Sequence, residues 1–514
     1  MPRPRTAPAL ASAAAAALAY TIASPPYTAS WAAWLIPGLL MVPCRGLAPW
    51  RALLCGVTFS LMMGIGVTGW AFHASLVYFD FNRLAAAAFA VCVWLLYGGV
   101  PFGLMLAGYA HAAERVPPAL RAPLAAWSWA VMEVLRTRLF TGMPWELLGH
   151  TQFRALWLVQ IADLGGVYAV SFVMALASVA AIELIADAGR SVAAPPVATA
   201  LQPARRLLPA ATLLLAAWAY GLHARALYAD GGSASAAVAV VQGNIPNAYR
   251  WQRAHMERSL GTYARLTESA LARHPDLVVW PENAVDFYLE REPMLRTQLA
   301  RVAARAPGGL LVGSPRLAGM TEARNSAQLL GVDGTVKAVY DKQHLVPFAE
   351  ASLLPTRTAD ASEPTYGPGG RAEPLITNVG RLGAVICYEV LFPGLVNDLV
   401  RRGAQLLVNI SNDSWLDGGD GAAPEQHFSM AVLTAIATRR DLVRVAGSGA
   451  SGFIDASGRI LASLPRDTAG SLVEHVRLRD RLTPYVRFGD QWMLLAGIAI
   501  AVGVTRSSAT RQRA

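Results

Sequence analysis

Cys387 is the residue of this sequence best placed to do covalent chemistry. It follows an apolar run of strand length, Leu382 to Ile386, and precedes an aromatic residue, a carboxylate and, at position 393, a proline. This pattern predicts a strand that ends in a sharp turn, where a side chain is exposed at the edge of a sheet beside backbone N–H groups. A cysteine is also a small apolar residue, and most buried cysteines are inert. The thiol alone therefore fits either a nucleophile or a packing residue.

Two more chemically useful groups follow predicted strands. Glu282 comes directly after the apolar run that ends at Trp280, and Lys342 follows the second strand of a predicted hairpin. Each has a simpler explanation, since Glu282 fits a helix cap or a solvated loop and Lys342 fits a surface charge. Complementary groups at several strand ends of one sheet edge are, however, where layered α/β folds place their sites. We therefore expect Glu282, Lys342 and Cys387 to form one site.

Together these groups could carry out nucleophilic attack on a carbonyl. A free thiol has a pKa of about 8.5, so it needs a base or a positive field to react at neutral pH. Glu282 could take the thiol proton and later give it to a leaving group, and Lys342 could offset negative charge on the tetrahedral intermediate. The product of attack would be a thioester. The second acceptor, water or another nucleophile, then decides between a hydrolase and a transferase.

The elements around these residues alternate between strands and helices. Apolar runs predict strands at 236–244, 276–280, 309–313, 382–386 and 405–410, hairpins around 332–334 and 455–458, and helices over 252–274, 394–402 and 425–440. Buried strands covered by helices predict an α/β layered sandwich.

The rest of the chain has the composition of a membrane protein. Only 15% of the 514 residues are charged and 54% are hydrophobic, and the mean hydropathy is +0.36. We predict a membrane α-helical bundle of about eight transmembrane helices, near residues 8–24, 28–43, 52–72, 84–111, 120–136, 157–187, 206–223 and 488–504. The second and fifth spans are short and contain proline. The first could be a cleaved signal peptide, but further hydrophobic runs follow at once, which favours a retained helix.

The basic residues predict the orientation of these spans. Eight spans place both termini on the same side of the membrane. Twelve arginines fall on that side and four in the short loops on the other side. Because cytoplasmic loops carry the excess of basic residues, the termini are expected to be cytoplasmic. The predicted domains are a membrane domain of seven helices over 1–223, an extracytoplasmic domain over 224–487, and a final helix with a short basic tail over 488–514. The net charge of +10 reflects this topology, so we do not interpret it as nucleic-acid binding.

Cysteine usage agrees with export of the second domain. Cys387 is the single cysteine between residues 224 and 487, while Cys44, Cys55 and Cys92 fall in the membrane half. A lone thiol in an oxidising compartment has no partner for a disulfide in its own domain, so it is either buried and inert or kept for its reactivity. The Cys and His spacings suggest no metal site, and nothing indicates a cofactor.

Two polar features interrupt the membrane half. Glu133 and Arg136 lie three residues apart at the end of the fifth span, which fits either an interfacial salt bridge or a functional pair. The loop from Thr141 to His150 combines tryptophan, proline, glycine and a carboxylate at the expected outer interface. Trp145 fits an aromatic belt, and the loop could also shape an entrance for a lipid.

Several short motifs resemble a known family. Pro281-Glu282, the run Asp341-Lys342-Gln-His344-Leu-Val-Pro-Phe348 and Ile386-Cys387-Tyr388-Glu389 resemble the Glu-Lys-Cys triad of the nitrilase, or carbon-nitrogen hydrolase, superfamily. Motifs spread over nearly the whole chain resemble the apolipoprotein N-acyltransferases, whose nitrilase-like domain precedes the last of eight membrane helices. These further motifs are Glu133-Val-Leu-Arg136, Gly142-Met-Pro-Trp145, Val241-Gln-Gly-Asn-Ile-Pro246 with Trp251, and Asn412-Asp-Ser-Trp415.

The resemblance implies an α-β-β-α sandwich and a two-step, ping-pong acyl transfer in the bacterial inner membrane, by a monomer whose catalytic domain faces the periplasm. Cys387 would take the sn-1 acyl chain of a phospholipid such as phosphatidylethanolamine, and the α-amine of a diacylglyceryl-cysteine at a lipoprotein N-terminus would then receive it. The same matching makes Glu282 the general base and Lys342 the stabiliser of the transition state. It assigns supporting or substrate-binding positions to Glu350, Tyr388, Glu389, Trp251, Asn325 and Trp415.

One segment departs from the family pattern. The family often has glycine, glutamate, an aromatic residue, valine and proline after the lysine motif, where this chain reads Phe348-Ala-Glu-Ala-Ser-Leu-Leu-Pro355. Ala349 lacks the backbone freedom of glycine, so the loop expected to cover the acyl pocket differs. Two other functions fit the same residues, a membrane-tethered amidase or nitrilase that uses water as acceptor, and a non-catalytic lipid-binding relative.

Overall fold

The structure forms two compact units. The computed structural model of the chain describes residues 6–79, 81–188, 206–230, 234–246, 252–319, 322–347, 350, 366–414, 416 and 422–513. One unit comprises Met1–Phe72, Leu84–His223 and Phe488–Ala514, and the other comprises His73–Arg83 and Ala224–Arg487. Trp251, Trp415, Phe348, Ala349 and residues 351–355, on which predictions were made, lie outside the described residues.

The helices that precede the first strand make up most of the first unit, although parts of some of them belong to the second unit. The helices that precede the first strand are α1 (Thr6–Ala23), α2 (Ile36–Met41), α3 (Pro49–Val67), α4 (Trp70–Tyr78), α5 (Arg83–Trp94), α6 (Val100–Ala113), α7 (Pro118–Arg138), α8 (Ala162–Ala188) and α9 (Leu208–Asp230). A π-helical turn, Leu95–Gly99, joins α5 to α6. Small residues let these helices approach closely: a Cβ atom on Gly56 of α3 would lie 2.5 Å from the backbone nitrogen of Gly103 in α6. Close backbone contact of this kind is a common way for helices to associate in lipid.

The membrane character is confirmed, whereas the count of eight spans stays a prediction. Within the described ranges, the helices long and apolar enough to cross a bilayer are Thr6–Ala23, Pro49–Val67, Arg83–Ala113, Val159–Ala186 and Pro484–Thr505. Residues 30–44 form a shorter, broken apolar helix. The predicted spans 120–136 and 206–223 fall in helices α7 and α9. These three segments are too short or too polar to be assigned as spans by length and composition alone.

Glu133 and Arg136 of α7 take different partners in the structure. Glu133 Oε1 accepts hydrogen bonds from the indole N–H of Trp129, at 2.9 Å, and from the backbone N–H of Leu148, at 2.8 Å. The Nε atom of Arg136 donates to the carbonyl of Tyr97, at 2.8 Å. No ion pair joins the two among the described residues, so the simple salt bridge considered above is wrong. Both are buried, and their bonds to Leu148 and Tyr97 fasten α7 to neighbouring segments.

The described residues of the second unit form two six-stranded sheets. The first has the order β12-β1-β2-β3-β4-β5 and the second the order β11-β10-β9-β8-β7-β6. Their strands are β1 (Ala234–Gln242), β2 (Leu277–Val279), β3 (Leu310–Leu317), β4 (Ala323–Leu330), β5 (Val336–Asp341), β6 (Leu375–Thr377), β7 (Gly380–Ile386), β8 (Leu406–Ser411), β9 (Leu442–Ala446), β10 (Ser451–Ile454), β11 (Ile460–Leu464) and β12 (Gly470–Leu478). In each sheet three adjacent strands run parallel, β1 to β3 and β7 to β9, and the flanking strands run antiparallel.

Helices cover the outer faces of the paired sheets. On the first sheet lie α10 (Arg253–Leu271) and α11 (Pro293–Ala303), and on the second lie α12 (Pro393–Arg401) and α13 (Ala422–Thr438). Helix α10 buries one stripe at helical spacing, including Leu260 and Tyr263. The Tyr263 ring stacks on Trp280 at 4.9 Å between centroids, and these side chains belong to the core between helix and sheet. The short helix α14 (Pro484–Phe488) and the 22-residue helix α15 (Trp492–Arg513) follow β12.

The α-β-β-α sandwich predicted for this unit is confirmed. Each predicted strand and helix overlaps an observed one. The prediction missed the helix α11 and the strands β6, β9 and β12. Strand β12 pairs antiparallel with β1 over nine residues, although the two lie more than 200 positions apart in the sequence. Pairing at that separation leaves no local turn signal for a sequence pattern to detect.

Candidate active site

The predicted nucleophile lies at a strained turn. Strand β7 ends at Ile386, and Cys387 begins a single 3₁₀ turn that runs to Leu391. Cys387 has a φ angle of +57°, a left-handed conformation that costs a non-glycine residue roughly 1–2 kcal/mol. Its side chain is 1% exposed. The chain therefore accepts local strain where it presents this thiol, a feature that is common at functional sites.

Glu389 fastens the nucleophile turn to the segment that carries Lys342. Its Oε2 atom accepts from the backbone N–H of Ile386, at 2.7 Å, and from the hydroxyl of Tyr340, at 2.9 Å. Its Oε1 atom accepts from the backbone N–H groups of Gln343 and His344, at 2.7 and 2.9 Å. One buried carboxylate thus ties the end of β7 to the segment that follows β5, across the two sheets. Burial raises the pKa of Glu389 to about 7, although the backbone donors and Lys342 oppose that rise.

Lys342 lies between two carboxylates. Its Nζ atom is 3.0 Å from Oε1 of Glu282 and 2.9 Å from Oε2 of Glu350. The side chains of Lys342 and Glu282 are 1% and 4% exposed, and that of Glu350 is 10% exposed. Burying charges without partners is prohibitively costly, so the three groups must be in place together. This sequestered charge cluster is the central feature of the site.

Asn325 of β4 and a backbone amide complete the cluster. The Nδ2 group of Asn325 donates to Oε1 of Glu282 and to Oε1 of Glu350, at 2.7 Å in each case. The backbone N–H of Asn412 donates to Oε2 of Glu282, at 2.9 Å. Both oxygens of Glu282 are therefore held in fixed positions. A base fixed in this way can take a proton without first reorganising its surroundings.

The electrostatics of the site keep the resting thiol protonated. Burial raises the pKa of Cys387 well above its usual value, and the charge of Glu282 acts in the same direction, while Lys342 opposes both. Burial alone would lower the pKa of Lys342, but the charges of Glu282 and Glu350 raise it well above its usual value. Lys342 is therefore a permanent cation at physiological pH. Cys387 needs a base at the moment of attack, and Glu282 is the carboxylate whose charge acts on it most strongly.

Tyr388 adds an aromatic wall beside the charge cluster. Its hydroxyl donates to the carbonyl of Leu345, at 2.8 Å, and the Lys342 ammonium lies 5.9 Å from its ring centroid. Phe392 meets the Tyr388 ring edge-on, at 5.0 Å, and stacks on His344 at 4.2 Å. These rings fix the segments on either side of the lysine.

The described residues that were predicted from the sequence converge on one place. Glu282, Lys342, Glu350 and Asn325 are in direct contact, the charges of Glu282, Lys342 and Glu350 act on Cys387, and Tyr388 and Glu389 brace the surrounding turns. Their catalytic roles remain proposals. Asn325, a supporting or substrate-binding position by resemblance, contacts the two carboxylates.

Sequence reasoning missed Asn409 of β8 and Arg444 of β9. Each interrupts an otherwise apolar strand, Leu406–Ser411 and Leu442–Ala446, and both side chains are fully buried. A polar residue in the middle of a buried strand must find a partner, and that signal would have marked both positions.

A buried glutamate, lysine and cysteine on an α-β-β-α sandwich define a carbon-nitrogen hydrolase domain. The family model described as carbon-nitrogen hydrolase matches residues 237–481. A second model, the apolipoprotein N-acyltransferase N-terminal domain, matches residues 16–180.

Relatives match over nearly the whole chain. The apolipoprotein N-acyltransferase of Geobacter metallireducens is 34% identical over 489 residues, which are 92% of this chain and 90% of the relative. That of Pseudomonas putida is 30% identical over 483 residues, 90% of each. Among solved structures, the carbon-nitrogen hydrolase from Helicobacter pylori G27 matches with a TM-score of 0.38 and 20% identity, over 47% of this chain and 88% of that one. On the sequence matches, this chain belongs to the apolipoprotein N-acyltransferase family, and it is a membrane-bound acyltransferase.

Proposed function

We propose that this chain transfers the sn-1 acyl chain of a phospholipid, by way of a Cys387 thioester, to the α-amine of an N-terminal diacylglyceryl-cysteine on lipoproteins. The observation that carries the proposal is the Lys342 ammonium buried between Glu282 and Glu350, with their charges acting on the Cys387 thiol. Family membership favours an amine over water as the acceptor.

In the first step Cys387 Sγ attacks the ester carbonyl carbon of the phospholipid. Glu282 takes the thiol proton as the S–C bond forms, and Lys342 offsets the charge that develops on the carbonyl oxygen. The bond between the carbonyl carbon and the sn-1 oxygen then breaks. Glu282 gives its proton to that oxygen, a lysophospholipid leaves, and the acyl group stays on Cys387 as a thioester.

In the second step the lipoprotein amine attacks the thioester carbon. A C–N bond forms, the C–S bond breaks, and Glu282 moves the amine proton to the departing thiolate. The products are an amide and the free thiol, so the enzyme returns to its starting state. No cofactor or metal takes part in this scheme.

The scheme requires the thiol to meet lipid substrates at the membrane. Withdrawing an acyl chain from a bilayer costs about 0.8 kcal/mol per CH₂ group, so neither substrate can cheaply leave it. We propose phosphatidylethanolamine as donor and an inner-membrane protein acting as a monomer. Residues 1–223 would supply seven transmembrane helices and 488–514 the eighth, with residues 224–487 on the periplasmic side and both termini in the cytoplasm.

Mass spectrometry of the purified full-length protein tests the reaction. Mixed with phosphatidylethanolamine, the protein should gain one acyl mass on the peptide that contains Cys387. After a diacylglyceryl-cysteine peptide is added, that mass should appear on the peptide's α-amine. Cys387→Ser should abolish the thioester, whereas Cys92→Ser, which replaces an exposed free cysteine, should retain it.

The other outcomes discriminate between the rival functions. An adduct that ends only as free fatty acid would indicate a hydrolase. No adduct in the wild type, under conditions in which its lipid is bound, would indicate a binding protein and contradict the proposal.

Cysteine labelling tests the proposed orientation. Glu373 of the second unit and Glu114, which follows α6, have side chains 64% and 48% exposed. In intact cells with a permeable outer membrane, a membrane-impermeant maleimide should label Glu373→Cys and not Glu114→Cys. The reverse pattern would contradict the orientation.

A further inference from the structure

A chain of buried polar groups ends on the backbone carbonyl of Cys387. Asn409 of β8 donates from Nδ2 to the carbonyl of Cys387, at 2.9 Å, and to that of Val385, at 3.2 Å. Val385 is the residue paired with Asn409 in the parallel ladder of β7 and β8. The ladder itself ends at Ile386, paired with Ile410. The Asn409 side chain thus extends the hydrogen bonding beyond the last ladder pair and onto the strained residue.

Arg444 and Asp413 support the Asn409 amide from behind. Arg444 is paired with Asn409 across β8 and β9, and its Nη1 group donates to Asn409 Oδ1. Its Nη2 group donates to Asp413 Oδ2 at 2.7 Å. All three side chains are fully buried. Because Arg444 binds the amide oxygen, the amide is polarised and its N–H becomes a stronger donor toward Cys387.

Asp413 is itself held as an anion. Its Oδ1 atom accepts from the hydroxyl of Ser411, at 2.7 Å, and contacts Nδ1 of His427, at 3.1 Å. Although burial opposes it, the charge of Arg444 keeps the pKa of Asp413 well below its usual value. Burial and the nearby Arg444 lower the pKa of His427 to about 4, so the ring is neutral near pH 7. The ion pair of Arg444 and Asp413 therefore persists at physiological pH.

We infer that Asn409 is a positioning residue for the nucleophile, supported by Arg444 and Asp413. By holding the carbonyl of Cys387, Asn409 keeps this residue in its left-handed conformation, with φ at +57°, and so fixes where Sγ can point. His427 also bonds to the backbone of Cys387, but it does not replace the Asn409 donor. Loss of that donor lets the turn relax and moves the thiol away from Glu282 and Lys342. A displacement of about 1 Å at a reacting atom can cost about 10²-fold in rate. This inference rests on the proposed function of Cys387 as the nucleophile.

Gln242 of β1 offers a matched control. It is also a fully buried amide, and its Nε2 group also donates to two backbone carbonyls, those of Pro465 and Thr468, at 2.8 Å each. Its Oε1 atom likewise accepts from one side chain, Ser451. Gln242→Glu and Gln242→Met therefore make the same chemical changes as Asn409→Asp and Asn409→Leu, in a place where no bond reaches Cys387.

The first experiment measures the single-turnover rate of Cys387 acylation by phosphatidylethanolamine and the melting temperature of all four full-length variants. We expect both Asn409 variants to lose about 10²-fold in rate while melting no lower than their Gln242 counterparts, which should acylate normally when folded. Acylation at the wild-type rate in Asn409→Leu would overturn the inference. The inference would also be overturned if the Asn409 and the Gln242 variants lost acylation rate only in proportion to the fraction of protein that stays folded.

The neutral variant separates positioning from a change in thiol charge. Asn409→Asp adds a negative charge that would raise the thiol pKa, whereas Asn409→Leu adds none. If charge alone were responsible, Asn409→Leu would acylate at the wild-type rate, and that result would overturn the inference. Similar deficits in the two variants support it.

A second readout does not depend on the lipid or the acyl transfer. Iodoacetamide alkylates the Cys387 thiol directly, and peptide mass spectrometry gives the rate at this residue. We expect the Asn409→Leu rate at Cys387 to differ from the wild type severalfold, and the Gln242→Met rate to match it. An unchanged alkylation rate in Asn409→Leu would overturn the positioning role. This holds even if the wild-type protein forms no acyl adduct, so failure of the inference and failure of the proposed function can be told apart. If the Asn409 variants do not fold, Arg444→Lys replaces them. This change keeps a cation beside Asp413 but removes the guanidinium group that also reaches Asn409. It must change the acylation and alkylation rates in the same way, and wild-type rates in this variant would overturn the inference.

Discussion

The Nζ atom of Lys342 lies 3.0 Å from Oε1 of Glu282, and both side chains are almost completely buried. Removing the lysine would leave Glu282 and Glu350 facing each other without a counter-charge. We predict that Lys342→Met loses about 10²–10³-fold in the rate of Cys387 acylation, the usual effect of losing a group that stabilises a developing oxyanion. The fold should also lose about 3–5 kcal/mol, as when one partner of a buried ion pair is removed. Acylation kinetics and thermal unfolding in detergent measure the two effects.

Lys337→Met is the matched control for that change. Lys337 forms an ion pair with Asp333 at 2.6 Å, but both side chains are 50% exposed. Exposed pairs contribute little because water screens them. We expect wild-type acylation and an unchanged melting temperature; a loss as large as that of Lys342→Met would mean that burial is not the reason for the effect.

The raised pKa of Cys387 predicts an unusual pH profile for its alkylation. Since the folded thiol holds its proton more tightly than a free thiol, whose pKa is about 8.5, its thiolate fraction is smaller at every pH up to 9. The rate with iodoacetamide at Cys387 should therefore still rise above pH 9, where that of free glutathione levels off. Lys342 opposes the shift, so Lys342→Met should slow alkylation further. A plateau below pH 8 in the wild type would contradict the assignment.

Asn325 is predicted to matter for both folding and rate. Asn325→Leu removes the donor shared by Glu282 and Glu350. Hydrogen bonds to charged groups contribute about 1.5–3 kcal/mol to stability, so the melting temperature should fall. We expect acylation to fall about 10- to 10²-fold because Glu282 loses a donor that fixes its position. Gln328→Met on the same strand is the control, because the Gln328 amide is also buried but donates to Ser314. Equal acylation rates in the two variants would show that the bridge is not needed.

Glu389→Gln should loosen the nucleophile turn. The carboxylate accepts from three backbone N–H groups and from Tyr340, and an amide has only one oxygen to offer them. Each buried donor left unsatisfied costs about 1–3 kcal/mol, so the melting temperature should fall clearly and acylation should fall with it. Glu373→Gln, on an exposed side chain, should change neither. A Glu389→Gln variant as stable and active as the wild type would refute this role.

Glu389 also predicts a pH dependence of stability. Its pKa rises from 4.5 to about 7 on folding, so the folded state binds this proton more tightly than the unfolded chain does. The group's contribution to stability is therefore complete below pH 4.5 and is lost as the pH rises to about 7. The melting temperature of the wild type minus that of Glu389→Gln should decrease across that window and be constant above it. A difference that increases with pH would mean that the carboxylate is stabilised as an anion in the fold.

Local patterns in the sequence were sufficient to predict the elements that carry the site. Apolar runs of strand length before Glu282 and Cys387 predicted β2 and β7, because a buried strand needs apolar side chains on both faces. The same patterns indicated the sandwich and the helical membrane half. Family motifs singled out Glu350, Tyr388, Glu389 and Asn325 without showing what each one touches.

Tertiary structure alone decided the contacts within the site. The Asn325 side chain bonds to Glu282, 43 positions before it, and to Glu350, 25 positions after it. The Asn409 side chain bonds to the carbonyl of Cys387, which lies 22 positions earlier in the sequence. The partner of a buried polar group depends on strand order and register, which no local periodicity encodes. The sequence determined which residues could do chemistry and which segments are buried. The pairing of the strands decided which charges meet, because only the folded sheet excludes the water that would otherwise separate them.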